Sequence, residues 1–589
     1  MNSLWRRRSR STIAIAGIGI AAVVLAGCTT EGGEEVATGG TVTVAEVNEL
    51  TSLNQATPDG NLDINGKVAY LTTSGFNYLT DELELVQNED FGTVELVSED
   101  PLVVTYKINE GQKWSDGEAI TADDLLLNWA VQSGYYDDAT RDEAGEITKG
   151  NAYFSYAGDT SGLALTEFPE ISEDGLSLTL NYSKPFADWA YVSLLDRPAH
   201  VVAEKAGVSL EELRAAFADT PRGDASAPAE ENATLRAAAD FWNTGYDMTS
   251  FPSDESLLVS SGSYILTEWE PTQSITLERN EEYTGGLDPK LDTIIIRFIG
   301  DANAQVTALE NGDADVVAPQ ASADTLSALE AIDTATTIVG DQFSYDHLDL
   351  TFNEGPFTDP KVREAFLKTI PRQQILDAIV TPINPEAKIL DSQIFVPTQG
   401  DSYTNSAAGN GSSDYAEPDI EGAKALLGGK TPTVRILYNN GNPNRVDAFE
   451  AISASATEAG FKIEDLGSPE WGALLGGGGY DASIFGWVSS GVGVTGVPQI
   501  FGSTGGGNYN GYKNAEVDAL NAELVVTPDL ADQVTIQAEI DKLLWADDYG
   551  LPLFQGPGIT AFSDVVSGVT HYPGQTGVFW NIWEWSVEG

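Results

Sequence analysis

Gly491-Val492-Gly493-Val494-Thr495-Gly496 fits G-x-G-x-x-G and follows an expected strand at Ala482–Trp487. In that setting, glycine amides can cradle a pyrophosphate. The motif then needs a long helix whose N-terminus meets the phosphates. Pro498 and the glycine-rich run Gly502–Gly511 follow instead, so a glycine loop is the better reading. Asn61-Leu62-Asp63-Ile64-Asn65-Gly66 has the spacing of a calcium loop's opening. Its first ligand is Asn, and position twelve is Thr72 rather than a bidentate glutamate, which makes it a polar turn. His200, His347 and His571 lie far apart and have no metal-ligand spacing. G-x-S-x-G and H-E-x-x-H are both absent from the sequence. With 90 acidic residues, chance carboxylate pairs abound, so paired-acid hydrolysis of glycosides stays an alternative that no particular pair supports. No catalytic residue, cofactor or metal is expected.

The aromatic residues carry more information. Trp471, Trp487, Trp545, Trp580, Trp583 and Trp585 crowd the last fifth of the chain, joined by Tyr509 and Tyr512. Most should be packing residues. Trp487 ends a buried strand and precedes a glycine-rich loop, a placement that can wall a solute pocket.

One cysteine, Cys28, closes the run Leu25-Ala26-Gly27-Cys28. Arg6, Arg7, Arg8 and Arg10 precede an apolar stretch from Ile13 to Ala26. The stretch is short for a span, which takes about 20 apolar residues. Its flanks are those of a signal peptide, expected over residues 1–27, with Cys28 as the lipidation site. Ser9-Arg10-Ser11 interrupts the arginines, which favours general secretion over twin-arginine export. Residues 28–40 form a lipidated Gly/Glu/Thr tether. The expected location is the extracytoplasmic face of a cell membrane. A lone cysteine permits no disulfide within the chain, so stability must come from core size.

The 589 residues include 30 basic and 90 acidic ones, a net charge of −60. Nucleic acid is excluded as a partner, because phosphate recognition needs positive charge. The acids are spread along the whole chain, as on a solvated surface suited to a salty medium, rather than in one field that steers cations. Length calls for two or three domains, and 42% apolar content is ordinary for a globular protein.

Strands and helices must position these groups. Alternation predicts strands at Thr41–Ala45, Val94–Val97, Leu102–Ile108, Leu176–Tyr182, Ser263–Thr267, Ser274–Glu278, Thr293–Ile299 and Val434–Tyr438. Thr121 is an N-cap ahead of Asp123 and Asp124 in a helix's first turn. Helices are expected at Pro360–Ile370, Asp447–Ala459, Asn514–Leu524 and Leu530–Trp545, with two more short ones flanking Asp315–Val317. Residues 220–235 read as an exposed loop. The mixture without a strict period indicates an α/β chain with several sheets.

Several segments, taken in order, resemble the dipeptide/oligopeptide-binding (family 5) solute-binding proteins of bacterial ABC importers. Val104-Thr105-Tyr106-Lys107-Ile108 leads to Gly111-Gln112-Lys113-Trp114-Ser115-Asp116-Gly117 and Ile120-Thr121-Ala122-Asp123-Asp124. Ser261-Gly262-Ser263-Tyr264 runs through Glu268-Trp269-Glu270-Pro271 to Leu277-Glu278-Arg279-Asn280. Asn353 and Gly355-Pro356-Phe357 precede Asp359-Pro360-Lys361-Val362-Arg363-Glu364-Ala365-Phe366.

The resemblance implies a two-lobed, periplasmic-binding-protein-like fold of the large peptide-binding class, with an extra subdomain in lobe I. Lobe I would comprise 41–70, 190–299 and 556–589, its subdomain insert 71–189, and lobe II 300–555. Hinge strands would lie near Ile296–Gly300 and Leu551–Gln555. It implies a monomer that binds a peptide or other small polar solute and works with permease subunits of an ABC transporter. A sensor sharing the fold is the other non-enzymatic alternative. Peptide binders of the family read Gly-Trp-x-x-Asp where this chain has Gly486-Trp487-Val488-Ser489-Ser490, so Ser490 replaces the acid that pairs with a peptide's amino group. The ligand-binding residues expected are Trp487, Ser490, Asn508 and Tyr509, with Glu46, Asn48 and Glu49 after the first strand; Glu46 or Glu49 could supply the missing charge.

Overall fold

The computed structural model describes residues 39–141, 147–488 and 492–587. The expected signal peptide, Cys28 and most of the tether lie outside the described residues, as does Ser490.

One 10-stranded sheet organises the chain. Its order is Tyr264–Glu270, Ser274–Arg279, Thr293–Phe298, Thr41–Glu46, Val316–Val317, Gly550–Ser563, Ala335–Leu350, Ala482–Val488, Thr433–Tyr438 and Lys462–Gly467. The two ends of the sheet feed separate cores. Val42, Val44, Ile294 and Ile296 pack into the first. Leu348, Leu350, Val434, Ile436, Ile484 and Leu553 pack into the second, beneath Phe366, Ile375 and Ile452. Where alternation predicted a strand, as at Thr41–Glu46, Thr293–Phe298 and Thr433–Tyr438, it is the pleat turning every second side chain inward.

Ala335–Leu350 and Gly550–Ser563 join the two halves. They pair antiparallel over most of their length, and the register breaks between Asp341 and Tyr345 and again between Asp346 and His347. On one side of the break, Ala335–Asp341 faces Pro557–Ser563; on the other, Tyr345–Asp349 faces Gly550–Gln555. Such irregularities raise the local twist and bend a strand, so the pair turns as it passes from one half to the other. The 16-residue strand Ala335–Leu350 was not expected from sequence. Residues 302–330 pack beside the first half: Val317 pairs with Ala45, and Val306, Leu309 and Leu329 share an apolar cluster with Ala45 and Ala561. The stretch opening the expected second lobe thus completes the first half's sheet.

A second sheet, Gly92–Glu99, Leu102–Ile108, Ser177–Asn181 and Glu170–Ile171, lies within the expected insert. The helix Ala122–Ser133 belongs to the same core and buries almost all of its residues. Thr121 caps it as expected, and Asp124 reaches back to accept the Thr121 N–H at 2.8 Å. Asp124 also accepts the Ala199 N–H at 2.9 Å. Burial pushes its carboxyl up to about 6.

The expected loop at 220–235 ends at Asn232, whose side chain caps a helix over Ala233–Thr244. The helix expected from Asp447 starts earlier, at Pro443, because Asn442 accepts the Asn444 N–H and proline suits the first turn.

Candidate functional site

Strand Ala482–Val488 lies between Ala335–Leu350 and Thr433–Tyr438. Its register sets Trp487 opposite Tyr345 and Phe485 opposite His347. Directly opposed residues share a sheet face, so one face carries Tyr345, His347, Phe485 and Trp487. The Trp487 ring lies parallel to Tyr509, at 5.9 Å between centroids and 9° between planes. It is parallel to His347 as well, at 6.5 Å and 5°, and Phe485 meets it edge-on at 5.4 Å. Tyr509 is exposed, so the stack runs from the buried His347 out to solvent.

The glycine-rich loop makes this stack possible. A Cβ on Gly507 would stand 3.1 Å from the Trp487 Cη2, so any larger residue there would push the ring or the loop aside by a few tenths of an ångström. Asn508 holds the same loop: its Nδ2 donates to the carbonyls of Gly502 and Tyr512 at 2.9 and 2.8 Å, and its Oδ1 accepts the Tyr512 N–H at 3.1 Å. Both of its donors are therefore spent on the backbone. The ligand role expected for Asn508 becomes one of shaping the loop that carries Tyr509.

His347 bonds through Nδ1 to Asp349 Oδ1 at 2.8 Å. Its Nε2 and the Trp487 Nε1 are buried without a partner among the described residues. Two buried nitrogen atoms thus stand amid carbon behind the wall. On the opposite sheet face, Asp346 pairs with Arg445 at 3.3 Å; the Arg445 guanidinium reaches back to lie 5.1 Å over the ring of Trp471, which packs with Phe485 at 6.0 Å. A side chain at Gly486 would run into Asp346 Oδ1 at 2.5 Å, which explains the glycine before Trp487.

The residues expected after the first strand sit elsewhere. Val316–Val317 and the two long strands separate Thr41–Glu46 from Ala482–Val488. Glu46 is buried, and its Oε2 meets Lys67 Nζ at 2.6 Å. Burial raises the Glu46 carboxyl above its ordinary value against the pull of Lys67. Burial would lower the Lys67 ammonium, but Glu46 and Asp63 together hold it above its ordinary value. Asn48 donates to Asp63 Oδ1 at 2.7 Å, and Glu49 is exposed. Glu46 is thus already paired with a cation, and its Oε1 has no partner among the described residues.

Sequence reasoning missed Asp188. Its carboxylate accepts the Val494 N–H at 2.8 Å and the Thr495 N–H at 2.9 Å. The neighbouring Ala187 N–H donates to the Val525 carbonyl at 2.7 Å. A Cβ on Gly493 would come within 2.7 Å of Asp188 Oδ2. Two amides of the G-x-G-x-x-G run, those of Val494 and Thr495, are therefore spent on the chain's own carboxylate, and a pyrophosphate has no claim on them. The only sequence signal was the glycine spacing, which marks close approach without naming what approaches.

Among the described residues no group of three or more His, Cys, Asp or Glu could hold a metal ion. None of their helices is long and apolar enough to cross a membrane.

Two sheet halves joined by paired long strands, with an aromatic wall beside that joint, have the build of a two-lobed solute binder. The family model described as "Bacterial extracellular solute-binding proteins, family 5 Middle" matches residues 93–509, and the chain belongs to that family. It is 25% identical over 555 residues to an uncharacterized lipoprotein of Mycobacterium bovis, covering 91% of each chain. Its fold is similar to that of a periplasmic EDTA-binding protein, EppA (TM-score 0.78, 23% identity, 96% of this chain and 100% of that one). It is also similar to that of the oligopeptide-binding protein AppA from Bacillus subtilis, solved in complex with a nonapeptide (TM-score 0.71, 18% identity, 94% and 100%). The expected family and the two-lobed α/β class are thereby established.

Proposed function

We propose that this chain is a lipid-anchored, monomeric receptor that takes up a peptide or a related polar solute between its lobes and passes it to the permease of an ABC importer. The observation that carries this reading is the Trp487 wall. A tryptophan at a strand end, backed by His347 and flanked by an exposed Tyr509, offers a flat surface for a solute beside the joint between the lobes. The lobes would close by bending the paired long strands near their register break, in the manner of hinged binding proteins.

AppA was solved with a nonapeptide, which supports the peptide class. EppA is named for EDTA, so the fold also serves a polyanionic chelator. Ser490 stands where peptide binders of the family carry an acid, and an ammonium buried without a counter-charge is costly. Glu46 is engaged with Lys67, which weakens its candidacy as the replacement. The exposed Glu49 is the better candidate if the solute carries a free amino group. Anchoring through Cys28 would keep the receptor at the membrane beside its permease.

Isothermal calorimetry and thermal-shift screening of the purified chain against peptide and oligosaccharide libraries test the reading. A stable complex with a peptide is expected, and Ser490→Asp should tighten binding of peptides with free amino ends. Substrate turnover without any stable complex would overturn it in favour of hydrolysis.

A further inference from the structure

A hairpin of the expected insert reaches over to the second half of the molecule. Its strands are Asn77–Leu79 and Leu85–Gln87, paired from Asn77 opposite Gln87 to Leu79 opposite Leu85. The base is held on the first half: Phe76 belongs to that core, and Tyr78 meets Trp583 edge-on at 5.1 Å. The turn is closed by Thr80 N–H to Glu84 O at 3.0 Å, Leu83 N–H to Thr80 O at 2.9 Å and Glu84 N–H to Thr80 Oγ1 at 3.1 Å.

Leu83 is the one apolar residue of the turn Thr80-Asp81-Glu82-Leu83-Glu84. Asp81, Glu82 and Glu84 stay exposed, while Leu83 is half-buried. It packs against the cluster of Phe343, Tyr345, Leu390 and Val396, which Tyr403 and Trp487 also join. Its φ of 59° lies in the left-handed region, which is costly for any side chain with a Cβ. The turn itself calls for that backbone, because a three-residue hairpin loop ends on a left-handed residue. It does not call for an apolar side chain among acids; Leu83 carries one, and it seats on the apolar cluster that Trp487 also joins.

We infer that Leu83 is a specificity-determining residue: a plug from the first lobe that fills the apolar socket beside Trp487 and limits the size of the solute side chain accepted there. The plug also ties the lobes together at the mouth of the site, at a point remote in sequence from the long strands. The size limit rests on the peptide reading proposed above; the plug itself does not.

Two variants separate the side chain from its backbone. Leu83→Asn keeps a residue that visits the left-handed region, and Leu83→Gly removes the side chain altogether. Calorimetry would compare Ala-Ala-Ala with its three single-Phe analogues on the full chain. Both variants should favour at least one Phe analogue over Ala-Ala-Ala by tenfold or more relative to the parent. Unchanged preferences would overturn the size limit. If neither the parent nor the variants bind any of the four peptides, the peptide reading fails. Hydrogen–deuterium exchange of the ligand-free protein then decides the plug. Exchange at 343–345 and 390–396 should quicken at least fivefold in both variants, and unchanged exchange there would overturn it.

Discussion

Trp487 contributes a flat apolar surface, and its loss should be felt in binding rather than folding. Trp487→Ala should weaken solute binding about tenfold or more, the scale of one large apolar contact. Calorimetry on the solute found by screening checks this, and unchanged affinity would remove the residue from the site. Lys67 makes the opposite case. It neutralises Glu46 inside the protein, and removing one partner of a buried pair leaves an uncompensated charge. Lys67→Met should cost about 3 kcal/mol in denaturant unfolding, and adding Glu46→Gln should restore most of it. Trp487 was legible in the sequence because a strand end followed by glycines is a local pattern. His347 was seen only as one of three scattered histidines. Its role beside Trp487 comes from a register between strands more than 130 residues apart, which no local pattern encodes.

Elements tie the lobes together by different chemistry at different points. The paired long strands are continuous backbone. Asp188 is a polar clasp on Val494 and Thr495. Asp188→Ala would leave those amides without their acceptor, and an unsatisfied buried donor costs about 1–3 kcal/mol. Faster hydrogen exchange at residues 493–497 and a several-fold loss of solute affinity are expected. Unchanged exchange would show that the clasp is replaceable by water. Legibility varied with how local each element's signal is. Thr121 with Asp123 and Asp124 announced its helix because capping is decided within four residues. Ala335–Leu350 did not announce itself. Its first half is only partly covered, and its last four residues, His347–Leu350, are all buried, so no single alternation runs through it.

At the scale of the whole molecule, acidity and burial set the response to pH. Burial raises the carboxyls of Asp124, to about 6, and of Asp541 and Asp548. An acid whose native value exceeds its unfolded value binds more protons in the native state between the two values. Its contribution is full below the unfolded value and is lost as pH rises through the native one. Exposed acids such as Glu212 and Asp254 are held below their ordinary values by hydrogen bonds. Their contribution is present above about pH 4 and is lost below it. The net charge of −60 adds self-repulsion that protonation relieves. The Tm should therefore be higher near pH 5 than near pH 7.5, and should fall below about pH 4. Molar salt should raise the Tm at pH 7.5 by screening the repulsion. Calorimetric scans across pH and salt check both; a Tm that falls steadily from pH 7.5 to 5 would contradict the balance.

The sequence alone determined the family, the α/β class and the acidic composition, and it singled out Trp487 for the proposed site. Each of these is written in composition, in a short ordered motif or in the period of a single element. The tertiary structure decided what those residues face. It committed Glu46 to Lys67, turned Asn508 inward to its own loop, set two amides of the glycine motif on Asp188 and seated Leu83 on the apolar cluster that Trp487 also joins. These are contacts between segments distant in the chain, formed only when long strands pair and a hairpin reaches across. The physical reason is that local signals report the geometry a segment can adopt, whereas a site depends on which segments meet.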